Sequence, residues 1–516
     1  MKIFNVNYIR QMRLNDEGIL LIILCTVGFA LRMYFFTFGM PVKLDGLDYF
    51  LFAHKLSQDG VFPNGILGTN DGWSIFLAAI FKLTNNNDFQ VLNFVQRFVS
   101  VIISSATIYP VYYLCRRFSN EKYALLGAAI FIFDARIVEN SLAGITEPLF
   151  IMLVTSMVVF ALRNGRSVYF SFILLGLSSI VRYEALVLVI PLVIILIRNK
   201  NLQNRNKKII FGCLLMILIL LPIAYIRIQT NGYDGLTSHM MAGPQYVISV
   251  NTNMVDAGHS TSVDTKTVFL VNLIKNTIKF FVWNMIPIFV VFVPIGIYYS
   301  VKKNTEHLSK WIIFAGFMMI PAMYAYGRDI SELRYLYVLF PIFCAIVSFS
   351  VFSLGLTNKK MFAIICAVFI VSLAFFQWYS IDYTYEREIY QVTKKLPLIA
   401  SGVNEYPGGK YLRVTVSELE WPNPLDIDGN VKTEHMYPRI PTKGYDSLTK
   451  YILESKDKGL SHLVVTEHNE AHFLDELLES PSKYPFLIKE FDSIEEGYKN
   501  RIIIYKIDYD LINQEN

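Results

Sequence analysis

GILLIILCTVGFALRMYFFTF, residues 18–38, is followed a few residues later by KLDGLDY, residues 43–49. The first stretch is apolar and long enough to cross a bilayer core, which takes about 20 residues of helix. The second places two carboxylates, Asp45 and Asp48, just past the end of that run. A carboxylate at the membrane rim can serve as a general base toward a substrate held half in lipid. A short polar loop can also contain aspartates with no chemical duty. The rest of the chain decides between the two.

The chain has 516 residues, 53% of them hydrophobic and 15% aromatic, with a mean hydropathy of +0.40. This exceeds the apolar share of an ordinary soluble domain. Its 39 Phe and 31 Tyr suit membrane packing and interfacial belts. The net charge of +5 is modest, and the basic residues fall in short clusters between apolar runs, which argues against a nucleic-acid partner. All five cysteines (Cys25, Cys115, Cys213, Cys344 and Cys366) lie in or beside apolar segments, so neither a disulfide framework nor a cysteine-based zinc site is expected. The first apolar run is long and has no small-residue cleavage site after it. It reads as a membrane segment rather than a cleavable signal.

About eleven apolar runs approach spanning length: 18–38, 89–114, 123–139, 146–162, 167–181, 183–198, 209–228, 277–300, 311–327, 334–354 and 361–380. The pair 167–181 and 183–198 is short and interrupted by Arg182 and Glu184, as in one bent hairpin or two tilted helices. Orientation follows from charge. Arg10 and Arg13, then Arg116, Arg117 and Lys122, then Arg163 and Arg166, then the cluster 198–208, then Lys302, Lys303 and Lys310, then Lys359 and Lys360 all fall on one side when eleven spans are threaded. The positive-inside rule makes that side cytoplasmic. The N-terminus is then cytoplasmic, and loops 39–88, 139–146, 229–276 and 328–333 are outside, with everything beyond about 381. Removing one span would put later basic clusters on the wrong side.

The expected fold is therefore an α-helical polytopic membrane domain over 1–380 and a small α/β domain over 381–516 on the outer surface. In that tail, strand patterns appear at 411–416, 462–466 and 501–507, and helical patterns near 386–396, 447–455 and 471–478. No internal repeat is visible.

Ionisable residues near a membrane interior are costly and commonly functional. Here they gather on the outer side: Asp45, Asp48, Asp71, Glu139, Glu147, Arg182, Glu184, Arg328, Asp329, Glu332 and Arg334. Each has a plainer reading. Glu147 precedes Pro148 at a helix start and can complement the helix dipole. Arg182 can pair with Glu184. Arg334, with Tyr335, can be an interfacial anchor. Taken jointly, arginines and carboxylates from separate loops on one face suit a single chemistry. Arginine grips phosphate through several donors, and a carboxylate deprotonates an acceptor hydroxyl. His468 and His472 stand four apart, but the intervening glutamate is not in the zinc-protease position, so this pair reads as an exposed helical face.

At this point the chain resembles the GT-C superfamily of polytopic glycosyltransferases, which use polyprenyl-phosphate sugars, and within it protein O-mannosyltransferases and aminoarabinose transferases. The resemblance covers roughly 18–354. It rests on Asp45-Gly46-Leu47-Asp48-Tyr49 with Ala53 and Leu56; on Gly72-Trp73 and the apolar residues after it; on Ser141 through Thr146-Glu147-Pro148-Leu149; and on Val181-Arg182-Tyr183-Glu184-Ala185 together with Arg334-Tyr335 and Pro341. The resemblance implies that Asp45 is the base. Many relatives carry Glu beside that Asp, whereas this chain has Gly46, which leaves Asp48 as a competitor. The tail lacks a Trp-Trp-Asp acceptor motif, which argues against an oligosaccharyltransferase.

The resemblance further implies an inverting transfer of a hexose such as mannose, from a polyprenyl-phosphate sugar to a protein, lipid or glycan hydroxyl on the outer face of a plasma membrane. Arg182 and Arg334 hold the phosphate. Glu147, Asp48 or Asp71 orients the acceptor or holds a divalent cation (Mg or Mn) if one is used, and Tyr49 belongs to the same substrate-binding set. The loop 229–276, with Gly243-Pro244, closes over the site, and the outer domain helps select the acceptor. Two competitors share parts of this picture. A transporter of lipid-linked sugars should show repeat-related halves with charges at midplane. A polysaccharide polymerase or ligase shares the donor and the outer site.

Overall fold

The computed structural model describes residues 16–40, 42, 45–63, 70–163, 165–241, 265–378, 384–399, 423–425, 431–435, 440, 442, 444–467, 469 and 471–515. The strand expected at 411–416, Gly243 and Pro244 of the 229–276 loop, and His468 and Glu470 lie outside the described residues. The chain divides into two compact units. One comprises Met1–Phe36, Asp59–Phe76 and Arg97–Tyr379, the other Thr37–Gln58, Leu77–Gln96 and Ser380–Asn516. One of the breaks between the two units falls at Ser380. Parts of the first loop, however, group with the tail rather than with the membrane helices.

All eleven apolar runs carry helix among the described residues, and they differ in length. Six helices among the described residues are long and apolar enough to cross a membrane: Glu17–Tyr34, Phe89–Cys115, Arg205–Asn231, His307–Gly327, Leu333–Leu354 and Asn358–Phe375. A seventh is counted if Thr267–Met285 and Phe289–Lys302, which meet at 95°, form one broken span. The break falls at Pro287, which has no amide hydrogen to continue the helical ladder. The remaining runs form shorter helices, Glu121–Phe133, Glu147–Ala161, Val168–Val181 and Val189–Arg198. Even the 15-residue helix Glu147–Ala161 rises only about 22 Å at 1.5 Å per residue, short of a hydrocarbon core of about 30 Å. The expected run 123–139 is divided at Asp134, whose carboxylate accepts from the Arg136 amide and starts a new helix, Ala135–Leu142.

Apolarity sorts these helices by depth. Leu333–Leu354 is 89% buried and lies at the centre, whereas Arg205–Asn231, the most apolar at a hydropathy of 2.9, is only 11% buried. A helix that is apolar all round yet mostly outward-facing in a protein has lipid as its solvent. The protein is a multi-pass membrane protein.

The second unit has a three-stranded antiparallel sheet, with Ile502–Ile507 between His462–Thr466 and Leu487–Asp492. The period of two sends Leu463, Val465, Ile503, Tyr505 and Ile507 into one apolar cluster, and Val464, Ile502 and Ile504 into another. Both faces are covered. Ile389, Val392 and Leu396 of helix Thr384–Ile399 cap the second, and helices Leu448–Ser455 and His472–Glu479 cap the first. This explains why 462–466 and 502–507 read as apolar runs rather than as alternating strands. The expected helices and the later two strands of the tail are present, joined by a short antiparallel pair, Asn423–Leu425 with Val431–His435. Phe89 packs on Phe50 at 4.9 Å and on Tyr390 at 5.9 Å between ring centroids, which ties first-loop residues to the tail. His472 is fully exposed, in line with a solvated helical face.

Candidate active site

Three helix beginnings build the site in the first unit. Glu147 opens helix Glu147–Ala161, with Pro148 in the first turn, where a missing amide hydrogen costs nothing. Arg182 is extended (φ −147°, ψ 116°) and divides helix Val168–Val181 from the 3-10 segment Tyr183–Leu188. Arg334 lies in the 3-10 segment Leu333–Leu339 that leads into helix Phe340–Leu354. Of the two sequence alternatives for 167–198, the structure shows two helices joined through a short 3-10 stretch.

These three residues, from separate parts of the sequence, converge. Arg182 Nη1 donates to Glu147 Oε1 at 2.7 Å, and its Nη2 donates to Glu184 Oε1 at 3.1 Å. Arg334 Nη1 lies 3.8 Å from the same Glu147 oxygen. Glu147 is 3% exposed. A carboxylate that deep in the protein requires a charged partner, and here it orients two. The Tyr335 ring stands 5.5 Å from the Arg182 guanidinium and 6.0 Å from that of Arg334, so one aromatic face meets both cations. The group lines a cleft of about 490 Å³ with apolar walls from Phe150, Phe317 and Met318. Glu184 Oε2 is buried there without a hydrogen-bond partner among the described residues. The arrangement offers two guanidinium groups held by carboxylates at the polar end of an apolar cleft. That suits a phosphate carrying a long hydrocarbon chain.

Sequence reasoning missed how Arg182 is held in place. Residues 70–73 form a platform beneath it. Asn70, in the left-handed region at φ 64°, accepts from the Tyr183 amide at 3.0 Å. Trp73 Nε1 donates to the Gly144 carbonyl at 2.9 Å, three residues before Glu147. Asp71 is 2% exposed and pairs with Arg227, which is 1% exposed, at 2.6 and 2.5 Å. Asp71, expected to touch substrate, is thus engaged with a buried arginine. Gly72 lies so close to the next helix end that a Cβ would come within 2.6 Å of the Val181 nitrogen and 2.8 Å of the Ile180 carbonyl carbon. Gly72→Ala is therefore expected to displace the Arg182 turn, lowering transfer activity and the thermal midpoint together, while Ser74→Ala, two residues on, leaves the turn in place.

A second missed pair is Asp134 with Arg136. Two side-chain hydrogen bonds, at 2.8 and 3.1 Å, join them, and Arg136 also donates to the Trp283 and Asn284 carbonyls, tying two helix breaks together. A charged pair at the end of an apolar run was the available signal. Glu139 is on helix Ala135–Leu142, and burial pushes its carboxyl above the usual range.

Asp45, Asp48 and Tyr49 belong to the second unit, on helix Asp45–Asp59. Both aspartates are in the first turn, where the helix dipole favours negative charge. Buried side chains fix this turn: Gln96 Nε2 donates to the Gly46 carbonyl at 2.7 Å, and Asn93 accepts from the Val42 amide at 3.0 Å. Burial, and then the neighbouring Asp45 charge, push the Asp48 carboxyl up to about 6. Tyr49 is buried. Among the described residues, no group of three or more His, Cys, Asp or Glu side chains is arranged to hold a metal ion.

Residues 73–226 match the family described as dolichyl-phosphate-mannose-protein mannosyltransferase. That stretch contains Glu147, Arg182 and Glu184. In fold, the chain is similar to the oligosaccharyltransferase of Archaeoglobus fulgidus in its apo form (TM-score 0.53, 11% identity), covering 88% of this chain and 70% of that one. It is similar as well to the same organism's oligosaccharyltransferase AglB in complex with an inhibitory peptide and a dolichol-phosphate (TM-score 0.50, 12% identity), over 87% and 69% of the two chains. At such identities the likeness is one of fold. No curated protein sequence matches the chain.

Proposed function

We infer that this chain is a membrane glycosyltransferase of the GT-C superfamily and moves a hexose, mannose foremost, from a polyprenyl-phosphate donor to a hydroxyl on a protein or glycolipid acceptor. The observation that carries the reading is the gathering of Arg182 and Arg334 on Glu147 in an apolar-walled cleft. The fold likeness to a glycosyltransferase favours transfer over the transporter reading.

The acceptor oxygen attacks the anomeric carbon as the bond from that carbon to the phosphate oxygen breaks. The phosphate leaves with the electron pair, its charge growing from one negative to two. Arg182 and Arg334 stabilise that growing charge, and donors that need not reorganise at that moment act most strongly. The acceptor proton goes to a carboxylate, Asp45 or Asp48. In-line attack inverts the anomeric configuration. Where the reaction uses a divalent cation, Glu147, Asp48 or Asp71 would hold it, and it would offset negative charge on the donor phosphate. The basic-inside pattern supports a cytoplasmic N-terminus and an active site on the opposite face of the membrane. The α/β tail then faces outward and contributes to acceptor choice.

The test is purified protein in nanodiscs against a panel of polyprenyl-phosphate hexoses with peptide and glycolipid acceptors. Transfer from at least one such donor with inverted configuration is expected. Arg182→Met is expected to lower kcat by about 10²–10³-fold, as for removal of one charge-stabilising donor. Transfer from nucleotide sugars alone, or an Arg182→Met enzyme of normal rate, would overturn the reading.

A further inference from the structure

A second cleft lies at the other end of the same helices. Helix Glu147–Ala161 begins at the arginine cleft and ends beside Val158 and Leu162, which line the second. Helix His307–Gly327 contributes Lys310, Trp311 and Phe314 to the second cleft, and Phe317, Met318 and Pro321 to the first. The second cleft is narrow and open to solvent, and its lining is apolar apart from Lys310 and the Trp311 indole nitrogen.

Lys310 is the cation in its lining, and two arginines adjoin lining residues in the sequence. Arg117 precedes the lining residue Phe118, and Arg163 follows the lining residue Leu162. Partial burial, and then the Arg163 charge, hold Arg117 below its ordinary range. Arg116, by contrast, is paired with Glu121. Lys310 pairs among the described residues with Glu306, at 3.4 Å, and that carboxylate is 86% exposed. Two buried polar atoms also lack partners among the described residues: Trp311 Nε1, which lines the cleft, and Nδ1 of His307, whose ring sits 5.1 Å from Phe118. An indole N–H is a donor only, and leaving it buried without an acceptor is unfavourable. An apolar slot, a rim of cations and an unused buried donor call for an anion with a hydrocarbon tail.

We propose that this cleft binds an anionic phospholipid, its headgroup phosphate among Lys310, Arg117 and Arg163 and the start of an acyl chain along Phe118, Trp311 and Phe314. Basic pockets between membrane helices recognise anionic headgroups in this way. The site is separate from the arginine cleft, and its occupant is a lipid of the bilayer rather than the sugar carrier.

The experiment is photocrosslinking of the full chain in nanodiscs with a photoactivatable phosphatidylglycerol, with the labelled peptides mapped. Labelling is expected on peptides containing residues 114–118, 158–163 and 307–314, suppressed by excess phosphatidylglycerol but not by phosphatidylcholine. K310Q, R117Q and R163Q should each weaken labelling by about fivefold, the contribution of one cation near an anionic lipid. Lys310→Arg, which keeps the charge, should retain it and controls for folding. Equal competition by phosphatidylcholine, labelling unchanged in the triple variant, or competition by a polyprenyl phosphate but not by phosphatidylglycerol would each overturn the proposal.

Discussion

Asp45→Asn lowers sugar transfer by about 10²–10⁴-fold, the range for loss of a general base, while the protein still inserts, folds and retains the lipid-linked donor. The side chain keeps its shape and loses its charge, and the turn that carries it is held independently by Gln96 on the Gly46 carbonyl. Asp48→Asn is the paired measurement. Asp48 is pushed up to about 6 by burial and by Asp45, so a base at Asp48 titrates within the working range. A carboxylate base must be ionised. Activity that depends on Asp48 is therefore present above about pH 6 and is lost as pH falls through that value. Removing the Asp45 charge removes one of the two causes of the upward shift, so the acid limb then moves to lower pH. The outcomes separate cleanly. Loss of nearly all activity in Asp45→Asn with Asp48→Asn mildly affected assigns the base to Asp45. Retained activity in Asp45→Asn with a displaced acid limb assigns it to Asp48. Normal rates and an unchanged pH profile in both variants would remove the pair from the mechanism.

The cleft residues were legible because charge stands out against apolar sequence. Glu147, Arg182 and Arg334 each interrupt or border a hydrophobic run, and charge at such a depth needs a reason. Their use on one substrate was expected, but the pairing of both arginines with Glu147 was not legible, since it depends on helix starts far apart in the sequence. The breaks at Asp134 and Pro287 show how an apolar run and a single straight helix can differ. Periodicity reports that a stretch is apolar and helical, whereas its length is set by where side chains such as Asp134 and Arg136 capture a helix end. In the tail, β-branched runs at 462–466 and 502–507 marked strands accurately, because both faces of the sheet are covered. The grouping of residues 37–58 and 77–96 with the tail left no local trace, because contacts such as Phe89 on Tyr390 join residues about 300 positions apart.

Arg227 was the least visible of all, buried within an apolar run on a helix that otherwise faces outward, 156 residues from its partner. Its replacement carries the largest expected loss of stability. In Arg227→Met, the Asp71 carboxylate keeps its burial and loses its counter-charge. Breaking a buried pair from one side costs about 3–5 kcal/mol. Arg227 also donates to the Gly235 carbonyl at 2.9 Å, and a Cβ on Gly235 would overlap its guanidinium. Gly235→Ala should therefore destabilise through the same contact, in a backbone already at φ 66°. The double variant Asp71→Leu/Arg227→Met should recover most of the loss, because an apolar pair of similar volume avoids the cost of desolvating two ions. Thermal unfolding of the full chain in detergent reads this cycle, and additivity of the two single losses would contradict the coupling. Activity in the double variant then separates two roles for Asp71. If transfer returns with stability, Asp71 acts by holding the 70–73 platform beneath Arg182. If stability returns and transfer does not, Asp71 contacts the substrate, as its place in the sequence first implied.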